Sequence, residues 1–318
     1  MLEKEISQVR EKISKWKKEG LKVGFVPTMG ALHEGHLSLI KKSVQTCDKT
    51  VVSIFVNPAQ FGPCEDLDKY PKTLMEDLEL CKKAHVDLVF APSVEEMYPQ
   101  ENKISNDFFT YVIPPYFYVD KLCGKTRTGH FDGVCTVVTK LFNIIQPDFA
   151  FFGQKDFQQL VIIKKMVQDL NIPTKIVSCP IIRDESGLAL SSRNKYLSQE
   201  GKKQALVLNK ILNNIRACYN KGIKDINALK ETAFEFLNEH HELEYLEFVD
   251  KETLKEKPTA DDNTVVLIAA KVDKMRGVND SQSNVNIQNN SVRGVNDSQS
   301  NVNIQNNSVR LIDNCFIN

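Results

Sequence analysis

Short apolar runs alternate with amphipathic segments through the first half of the chain. Five runs rich in β-branched residues predict strands at Lys22–Val26, Thr50–Val56, Val86–Phe90, Phe149–Phe152 and Lys175–Pro180. Most of these runs are apolar throughout rather than alternating, which is typical of parallel strands buried on both faces of a sheet. Because helical patterns separate the runs, the sequence predicts an α/β domain with a doubly wound parallel sheet.

Helical spacing of apolar residues predicts where several helices lie. The first is an amphipathic helix that ends at Gly20 and carries Ile6, Val9, Ile13 and Trp16 on one face. Three more are predicted at Leu37–Val44, from Pro71 through Cys81, and at Phe157–Leu170.

The pattern changes after a turn predicted at residues 184–187, which read DESG. Two helices are expected next, from Ser198 to about Tyr219 and from Ile226 to about His240, followed by strands at Leu243–Val249 and Thr264–Lys271. We therefore expect a Rossmann-like domain over residues 1–182 and a smaller α+β domain over residues 183–318. Since doubly wound sheets bind ligands at the carboxyl ends of their strands, the cleft between the two domains is the expected site.

An identical tandem repeat interrupts the C-terminal part of the chain. Residues 276–292 read RGVNDSQSNVNIQNNSV, and residues 293–309 repeat all 17 without a change. Ten of the 17 are Asn, Ser or Gln and none is aromatic, so the segment cannot bury enough apolar surface to offset the entropy cost of ordering it. We predict that residues 276–309 are a disordered insertion in a surface loop.

Composition and charge argue against a nucleic-acid-binding, secreted or membrane-spanning protein. The 318 residues include 41 Lys and Arg against 41 Asp and Glu, so no broad basic field favours nucleic-acid binding. The charged N-terminus lacks the apolar core of a signal peptide, and no apolar run is long enough to cross a bilayer. The eight cysteines are scattered singly, without a CxxC pair. These features predict a reduced, cytoplasmic protein with no nucleic-acid or membrane partner.

The first candidate motif follows the first strand, where residues 27–36 read PTMGALHEGH. Gly30 and Gly35 let the backbone pass close to a ligand, and the start of the next helix offers N–H groups that suit a triphosphate. His33 and His36 can reach the same phosphate oxygens and stabilise charge as a phosphate bond breaks. Taken alone, a His-x-x-His pair is more often a zinc pair or ordinary polar residues at a helix start, although no nearby Cys or third His supports zinc.

The second motif follows the second strand, where residues 57–62 read NPAQFG. The amides of Asn57 and Gln60 can bind a carboxylate or a hydroxyl without adding charge. Taken alone, an Asn-Pro at a strand end is more often a simple turn.

The third motif, GQKDFQQ, occupies residues 153–159 at the end of the fourth strand. Lys155 can neutralise a phosphorus centre as a carboxylate attacks it. Asp156 and Gln159 also have the spacing of a capping box, which would make them the start of a helix. The two interpretations are compatible, because helix starts are where phosphates bind.

The fourth motif, LSSRN, occupies residues 190–194. The hydroxyls of Ser191 and Ser192 and the guanidinium of Arg193 can clamp the β- and γ-phosphates of a nucleotide. The alternative is an ordinary polar loop ahead of a helix capped by Ser198.

The order and spacing of these motifs are more specific than any one of them. PTMGALHEGH, FVNPAQF, YPKT, GHFDGV, KLFNIIQPDFAFFGQKDFQQ and LALSSRN, in this order, resemble the pantothenate synthetase family. The resemblance runs from about Val23 to Leu197 and ends with RLIDN at residues 310–314. HEGH is similar to the HIGH signature of the nucleotidylyltransferase superfamily. The resemblance implies ATP-dependent condensation of (R)-pantoate with β-alanine through a pantoyl adenylate, with Mg²⁺ accompanying ATP and a homodimeric assembly.

The resemblance also implies roles for individual residues. His36, His33, Lys155 and Arg193 would be catalytic, while Gln60, Gln159 and Asn57 would hold pantoate and β-alanine. The ATP site would comprise Pro27, Met29, Gly30, Ala31, Leu32, His33, Glu34, Gly35, His36, Gly153, Gln154, Lys155, Asp156, Ile182, Leu190, Ser191, Ser192 and Arg193. The protein ligands of Mg²⁺ are not assigned by the resemblance.

Two features depart from the family pattern. Cys123 stands in Leu-Cys-Gly where the family has Leu-Glu-Gly, and Thr128 replaces a proline, which puts substrate closure by the loop at residues 116–128 in question. The repeat is the second departure, since its removal leaves 318 − 34 = 284 residues, close to the usual length of the family.

Two other functions share part of the pattern. A nucleotidylyltransferase would adenylylate a phosphate-bearing substrate and stop there, but such a substrate is more often met by Arg or Lys than by Gln60 and Gln159. A nucleotide-binding regulator would need no turnover, and the set of His36, Lys155 and Arg193 disfavours it.

Overall fold

A computed structural model of the chain describes residues 2–62, 65, 67, 70–99, 109–238, 240–273 and 308–317. Within these residues the strands β1 to β9 are Leu2–Glu3, Val23–Thr28, Lys49–Ile54, Leu88–Phe90, Phe149–Gly153, Lys175–Cys179, Glu242–Asp250, Thr264–Asp273 and Ser308–Phe316. The helices α1 to α10 of the same residues are Ile6–Lys18, Glu34–Thr46, Leu74–Lys83, Val94–Met97, Tyr116–Val119, Leu122–Thr126, His130–Ile145, Phe157–Asp169, Gln199–Asn220 and Ile226–Phe234.

Strands β1 to β6 form a parallel sheet in the order β1-β4-β3-β2-β5-β6. The chain moves outward from β2 through β3 to β4 and returns to β5 on the other side of β2, which is a doubly wound arrangement. The five predicted strands of this sheet are confirmed to within two residues at each end.

Apolar side chains of alternate strand positions pack on opposite faces of this sheet. On one face, Phe25 and Val51 lie in a core with α1, α7 and α8. On the other, Val26 and Val52 lie in a core with α2 and α3. Because both faces are covered, the strands read as continuous apolar runs rather than as alternating ones.

Strands β7 to β9 form a smaller antiparallel sheet, which shares a core with α9 and α10. Helix α9 begins after Ser198, whose Oγ accepts a hydrogen bond from the Gly201 N–H at 2.8 Å. Its predicted start is thus confirmed, whereas α10 ends at Phe234, well before the expected His240. The fold is the predicted α/β sheet with a smaller α+β unit.

The end of the repeat is ordered differently from our prediction. Strand β9 begins at Ser308, inside the second copy, and Val309 pairs with Val272 and is only 5% exposed. These two residues therefore belong to the sheet rather than to an insertion. The rest of the predicted disordered segment, residues 276–307, lies outside the described residues.

Two helix starts differ from the prediction near the cleft. Helix α3 begins at Leu74 rather than Pro71, and α2 begins at Glu34 rather than Leu37, so that His33 becomes its N-cap. Across the described part of the chain, no helix combines the length and apolar character needed to cross a bilayer.

Candidate active site

A cleft of about 250 Å³ opens at the carboxyl ends of β2, β3, β5 and β6. It collects all four sequence motifs. The predicted site residues that line it are Pro27, Met29, His33, Gly35, His36, Asn57, Gln60, Gly153, Lys155, Asp156, Gln159, Ile182, Leu190, Ser191, Ser192 and Arg193. The predicted site residues that do not line it are Gly30, Ala31, Leu32, Glu34 and Gln154.

The loop between β2 and α2 is held by a buried carboxylate that the sequence analysis missed. Asp77 of α3 is 1% exposed and accepts hydrogen bonds from the backbone N–H groups of Ala31 at 2.9 Å and Leu32 at 2.8 Å. Gly30 and Ala31 have φ angles of 85° and 52°, in the left-handed region that a non-glycine residue adopts only with support. Asp77 supplies that support, and so shapes the backbone that leads into the two histidines.

The two histidines of HEGH lie in contact at the start of α2, with their ring planes tilted by 38°. Their ring centroids are 4.1 Å apart, and the Nδ1 of His33 accepts a hydrogen bond from the Gly35 N–H at 3.1 Å. The His33 ring lies so close to the backbone of residue 35 that this residue must be glycine, because a Cβ there would lie 2.8 Å from the ring. Since Nδ1 is an acceptor, the proton of the neutral His33 ring sits on Nε2.

Both histidines are neutral near pH 7. Burial, with the positive charge of Lys155, lowers the pKa of His33 from 6.5 to about 4. Burial, with the neighbouring His33, lowers the pKa of His36 to about 3. The rings therefore act as neutral hydrogen-bond donors or acceptors, and the negative charge of a bound polyanion would raise the pKa of both.

Lys155 and Asp156 follow β5 in a 3₁₀ turn, Gln154–Asp156. The Lys155 Nζ lies 4.0 Å from the Asp156 carboxylate, whose surface is open to the cleft but lies below the surface of the protein as a whole. Burial opposes ionisation of Asp156, but the charges of Lys155 and Arg193 outweigh it and lower the pKa of this carboxyl. Asp156 is the N-cap residue of α8, so the predicted helix start is confirmed, but its side chain makes none of the hydrogen bonds expected of a capping box. The carboxylate faces cations instead.

Asn57 and Gln60 lie beside each other after β3. Asn57 is 1% exposed, and its Nδ2 donates to the Gln60 Oε1 and to the Gly133 carbonyl, both at 3.1 Å. Its Oδ1 accepts from the Tyr98 hydroxyl at 2.8 Å. These bonds use both N–H groups of the Asn57 amide. The Gln60 Nε2 is turned toward the cleft, 3.1 Å from the Met29 sulfur.

One end of the cleft is apolar because α7 lies directly against the turn that carries Gln60. A Cβ on Gly133 would be 2.2 Å from the Ala59 carbonyl oxygen, so only glycine permits this approach. The helix then presents apolar side chains to the cleft, namely Val134, Val137, Val138 and Leu141.

Four polar residues of the cleft were not assigned a role from the sequence: Thr28, Tyr70, Arg127 and His130. Arg127 forms a bidentate ion pair with Glu65 at 2.6 and 2.7 Å, and its Nη1 lies 2.8 Å from the Nε2 of His130. Because Arg can only donate, His130 accepts at Nε2 and donates from Nδ1 to the Gln60 carbonyl at 2.8 Å. The available signal was their position: Thr28 lies in PTMGALHEGH, Tyr70 in YPKT and His130 in GHFDGV, and Arg127 stands two residues before GHFDGV.

Cys123, one of the departures noted in the sequence, lines a smaller pocket that shares Arg127, His130 and Lys155 with the cleft. Its sulfur is 3.2 Å from the Tyr245 hydroxyl and 3.6 Å from the Nη2 of Arg310, which also pairs with Glu244 at 2.7 Å. Arg310 therefore has a carboxylate partner, Glu244, on the side chain that also contacts the Cys123 sulfur.

Metal ligands are sparse. Among the residues that the structure describes, no group of three or more His, Cys, Asp or Glu side chains could hold a metal ion. The zinc alternative for His33 and His36 therefore finds no third ligand there.

Comparison with known proteins agrees with this geometry. The pantoate-beta-alanine ligase family matches residues 2–316. The pantothenate synthetase of Caldicellulosiruptor bescii is 48% identical over 273 residues, covering 85% of this chain and 94% of its own, and that of Clostridium novyi is 49% identical with the same coverage.

Solved structures give the same result. The pantothenate synthetase of Thermus thermophilus superposes with a TM-score of 0.81 at 36% identity, covering 99% of both chains. The pantoate-beta-alanine ligase of Francisella tularensis, complexed with Beta-gamma ATP and Beta-alanine, has a TM-score of 0.68 at 31% identity and covers 100% of this chain and 97% of its own. The chain belongs to the pantoate-beta-alanine ligase family.

Proposed function

We propose that this chain condenses (R)-pantoate with β-alanine in an ATP-dependent reaction that releases AMP and pyrophosphate. The observation that carries the proposal is the division of one cleft into two ends. One end gathers His33, His36, Lys155 and Arg193, which suit a triphosphate, and the other pairs uncharged amides with the apolar face of α7. The Francisella relative, complexed with Beta-gamma ATP and Beta-alanine, supports both halves.

In the first step, the pantoate carboxylate attacks the α-phosphorus of ATP, the bond to the bridging oxygen breaks, and pyrophosphate leaves with the electron pair. Lys155 and Arg193 offset the negative charge that develops on the phosphate oxygens. Neutral His33 donates from Nε2, because its Nδ1 is engaged with Gly35. His36, in contact with His33, supplies a second imidazole beside the same oxygens.

In the second step, the amine of β-alanine attacks the acyl carbon of the pantoyl adenylate, AMP leaves, and the amine loses its proton. The adenylate is already activated, so the protein contributes mainly by holding the two reactants together and excluding water. Gln60 and Gln159 would hold pantoate without adding charge. Asn57 would act indirectly, since its amide donates a hydrogen bond to Gln60 and fixes the orientation of the Gln60 side chain.

Mg²⁺ is proposed as the companion of ATP. Asp156 is the single carboxylate among the described residues that line the main cleft, and its lowered pKa keeps it ionised and able to bind a hard cation. Most of the ligands of this ion would be phosphate oxygens and water, as is usual for Mg²⁺ with nucleotides. The ion would neutralise phosphate charge, in common with Lys155.

Three further proposals concern context. The domain boundary is placed between residues 182 and 183, where the hairpin that begins at Arg183 follows β6. A homodimer is proposed from the family resemblance, and the exposed apolar side chains of Ile113 and Tyr116 offer surface that an interface could bury. A cytoplasmic setting is proposed because all seven described cysteines are free thiols.

Steady-state AMP release tests the proposed function. We expect AMP and pyrophosphate to form in equal amounts when pantoate, β-alanine and MgATP are all present, with sustained turnover abolished by omitting either acid or amine. Sustained AMP release without β-alanine would point to an adenylate-hydrolysing enzyme. Pyrophosphate release without free AMP, when a phosphate-bearing acceptor replaces pantoate, would favour a nucleotidylyltransferase, because the AMP group then stays on the acceptor.

A further inference from the structure

The last strand of the smaller sheet contacts the backbone that carries Lys155. Asn314 lies on β9 and is 2% exposed. Its Nδ2 donates hydrogen bonds to the carbonyl oxygens of Gln154 and Lys155, both at 2.9 Å. One amide group thus fixes two consecutive peptide groups of the turn from which the Lys155 side chain extends.

The residue before it supports the opposite wall of the cleft. Asp313 is 4% exposed and accepts two hydrogen bonds from Arg183, at 2.6 and 2.9 Å. Arg183 begins a hairpin that is closed by its bridge to Ala189 and leads directly into residues 190–193. Asp313 also accepts the Asn314 N–H at 2.8 Å, so the two supports are joined.

The turn that carries Lys155 has little side-chain support of its own. Asp156, the N-cap residue of α8 at the end of this turn, makes no side-chain capping hydrogen bond, and Gly153 at its start has no side chain to make one. The position of the turn therefore depends on contacts from elsewhere, and Asn314 supplies two of them.

We propose that Asn314 is a positioning residue for the adenylation step and acts through Lys155, an inference that rests on the proposed function. Loss of its Nδ2 donor lets the Lys155 turn move, and a displacement of about 1 Å from the productive geometry costs on the order of 10²-fold in rate. The smaller sheet is in this way part of the catalytic apparatus and not only a cover for the cleft.

Strand β9 is also held by contacts that do not involve the Lys155 turn, and these allow the positioning role of Asn314 to be separated from a general effect on folding. The strand pairs with β8 along its length, and Arg216 of α9 donates two hydrogen bonds to the Phe316 carbonyl at 3.0 and 3.2 Å. Arg216 holds the same strand two residues beyond Asn314 and is not among the residues that line the cleft. Arg216→Gln is therefore a matched control that loosens β9 without touching the Lys155 turn.

A double-mutant cycle tests the proposal. Asn314→Asp keeps the size of the side chain but removes the donor, and we expect it to lower kcat for AMP formation roughly 10- to 100-fold in the wild-type background. In a Lys155→Ala background the same change should alter kcat less than about threefold, because the side chain that Asn314 positions is no longer present. Arg216→Gln should lower the melting temperature yet keep kcat within about twofold of wild type.

Equal fold losses in both backgrounds, or an equal loss from Arg216→Gln, would overturn the proposal. Asn314→Ala takes the place of Asn314→Asp if the latter does not fold. ATP affinity, measured by calorimetry in the same four proteins, requires no turnover and should show the same non-additivity. If the wild-type protein makes no pantoate-dependent AMP, the proposed function fails, whereas the affinity cycle still decides the role of Asn314.

Discussion

Asp77 offers a sharp test of how the cleft is built. Replacing it with alanine leaves the N–H groups of Ala31 and Leu32 without an acceptor, and these residues are only 1% and 7% exposed. Each unpaired buried group costs about 1–3 kcal/mol, so the loss of an acceptor for two of them in Asp77→Ala should lower the free energy of unfolding by roughly 2–6 kcal/mol. Asp77→Asn retains one acceptor oxygen and should lose about half as much.

Glu76 provides the matched control, since it is the neighbouring carboxylate on α3 but is exposed. Glu76→Ala should change the free energy of unfolding by no more than about 0.5 kcal/mol. Urea unfolding followed by Trp16 fluorescence is the assay, because this is the single tryptophan and it packs against the core of the parallel sheet. Equal losses for Asp77→Ala and Glu76→Ala would refute the assigned role of Asp77.

Three other predictions follow from the site and the repeat. His36→Ala and Lys155→Ala should each lower kcat roughly 10²–10³-fold while the proteins stay folded by circular dichroism; near-normal rates would remove that residue from the phosphate site. Burial lowers the pKa of His36 from 6.5 to about 3, so between pH 7 and pH 4.5 only the unfolded chain takes up a proton at this residue, and the folded state loses stability. The urea midpoint should therefore fall further over this pH range for wild type than for His36→Gln. Parallel plots of urea midpoint against pH for the two proteins would contradict this. Deleting one repeat copy, residues 276–292, should keep the rate of AMP formation within about twofold, because halving the number of residues between β8 and β9 changes the closure cost of a flexible connection by only about 0.6 kcal/mol. Deleting 276–309 also removes Ser308 and Val309 from β9 and should give a lower melting temperature than the single-copy deletion. A large rate loss from the shorter deletion would show that the repeat serves the reaction.

The parallel sheet was predictable because its signal is strong and local. Strands such as β3 and β5 are buried on both faces, so apolar side chains run continuously and the flanking turns stand out. The collection of the four motifs in one cleft also followed from topology, since the carboxyl ends of parallel strands meet at one edge.

Helix α7 was not predicted, although it is largely buried. Its middle contains Val134, Thr136, Val137 and Val138, which favour strands in isolation, and tertiary packing against α1 and α8 overrides that preference. Asp77 was missed for a related reason, because a carboxylate on a predicted amphipathic helix normally faces solvent.

The hydrogen-bond partners of individual side chains could not be predicted from the sequence either. Asn57 and Gln60 have the same chemistry in the sequence, but only the fold reveals that the Asn57 amide is bonded to Tyr98 and Gly133. The link from Asn314 to Lys155 joins residues 159 positions apart, which no local pattern can indicate.

Exchange of labelled pyrophosphate into ATP tests the two-step mechanism most directly. With pantoate and MgATP but no β-alanine, we expect label to enter ATP, because adenylation is reversible and needs no amine. Omitting pantoate should abolish the exchange, and Lys155→Ala should slow it roughly 10²-fold or more. Exchange that began only after β-alanine was added would contradict a pantoyl adenylate formed ahead of the amine, and with it the central claim about this cleft.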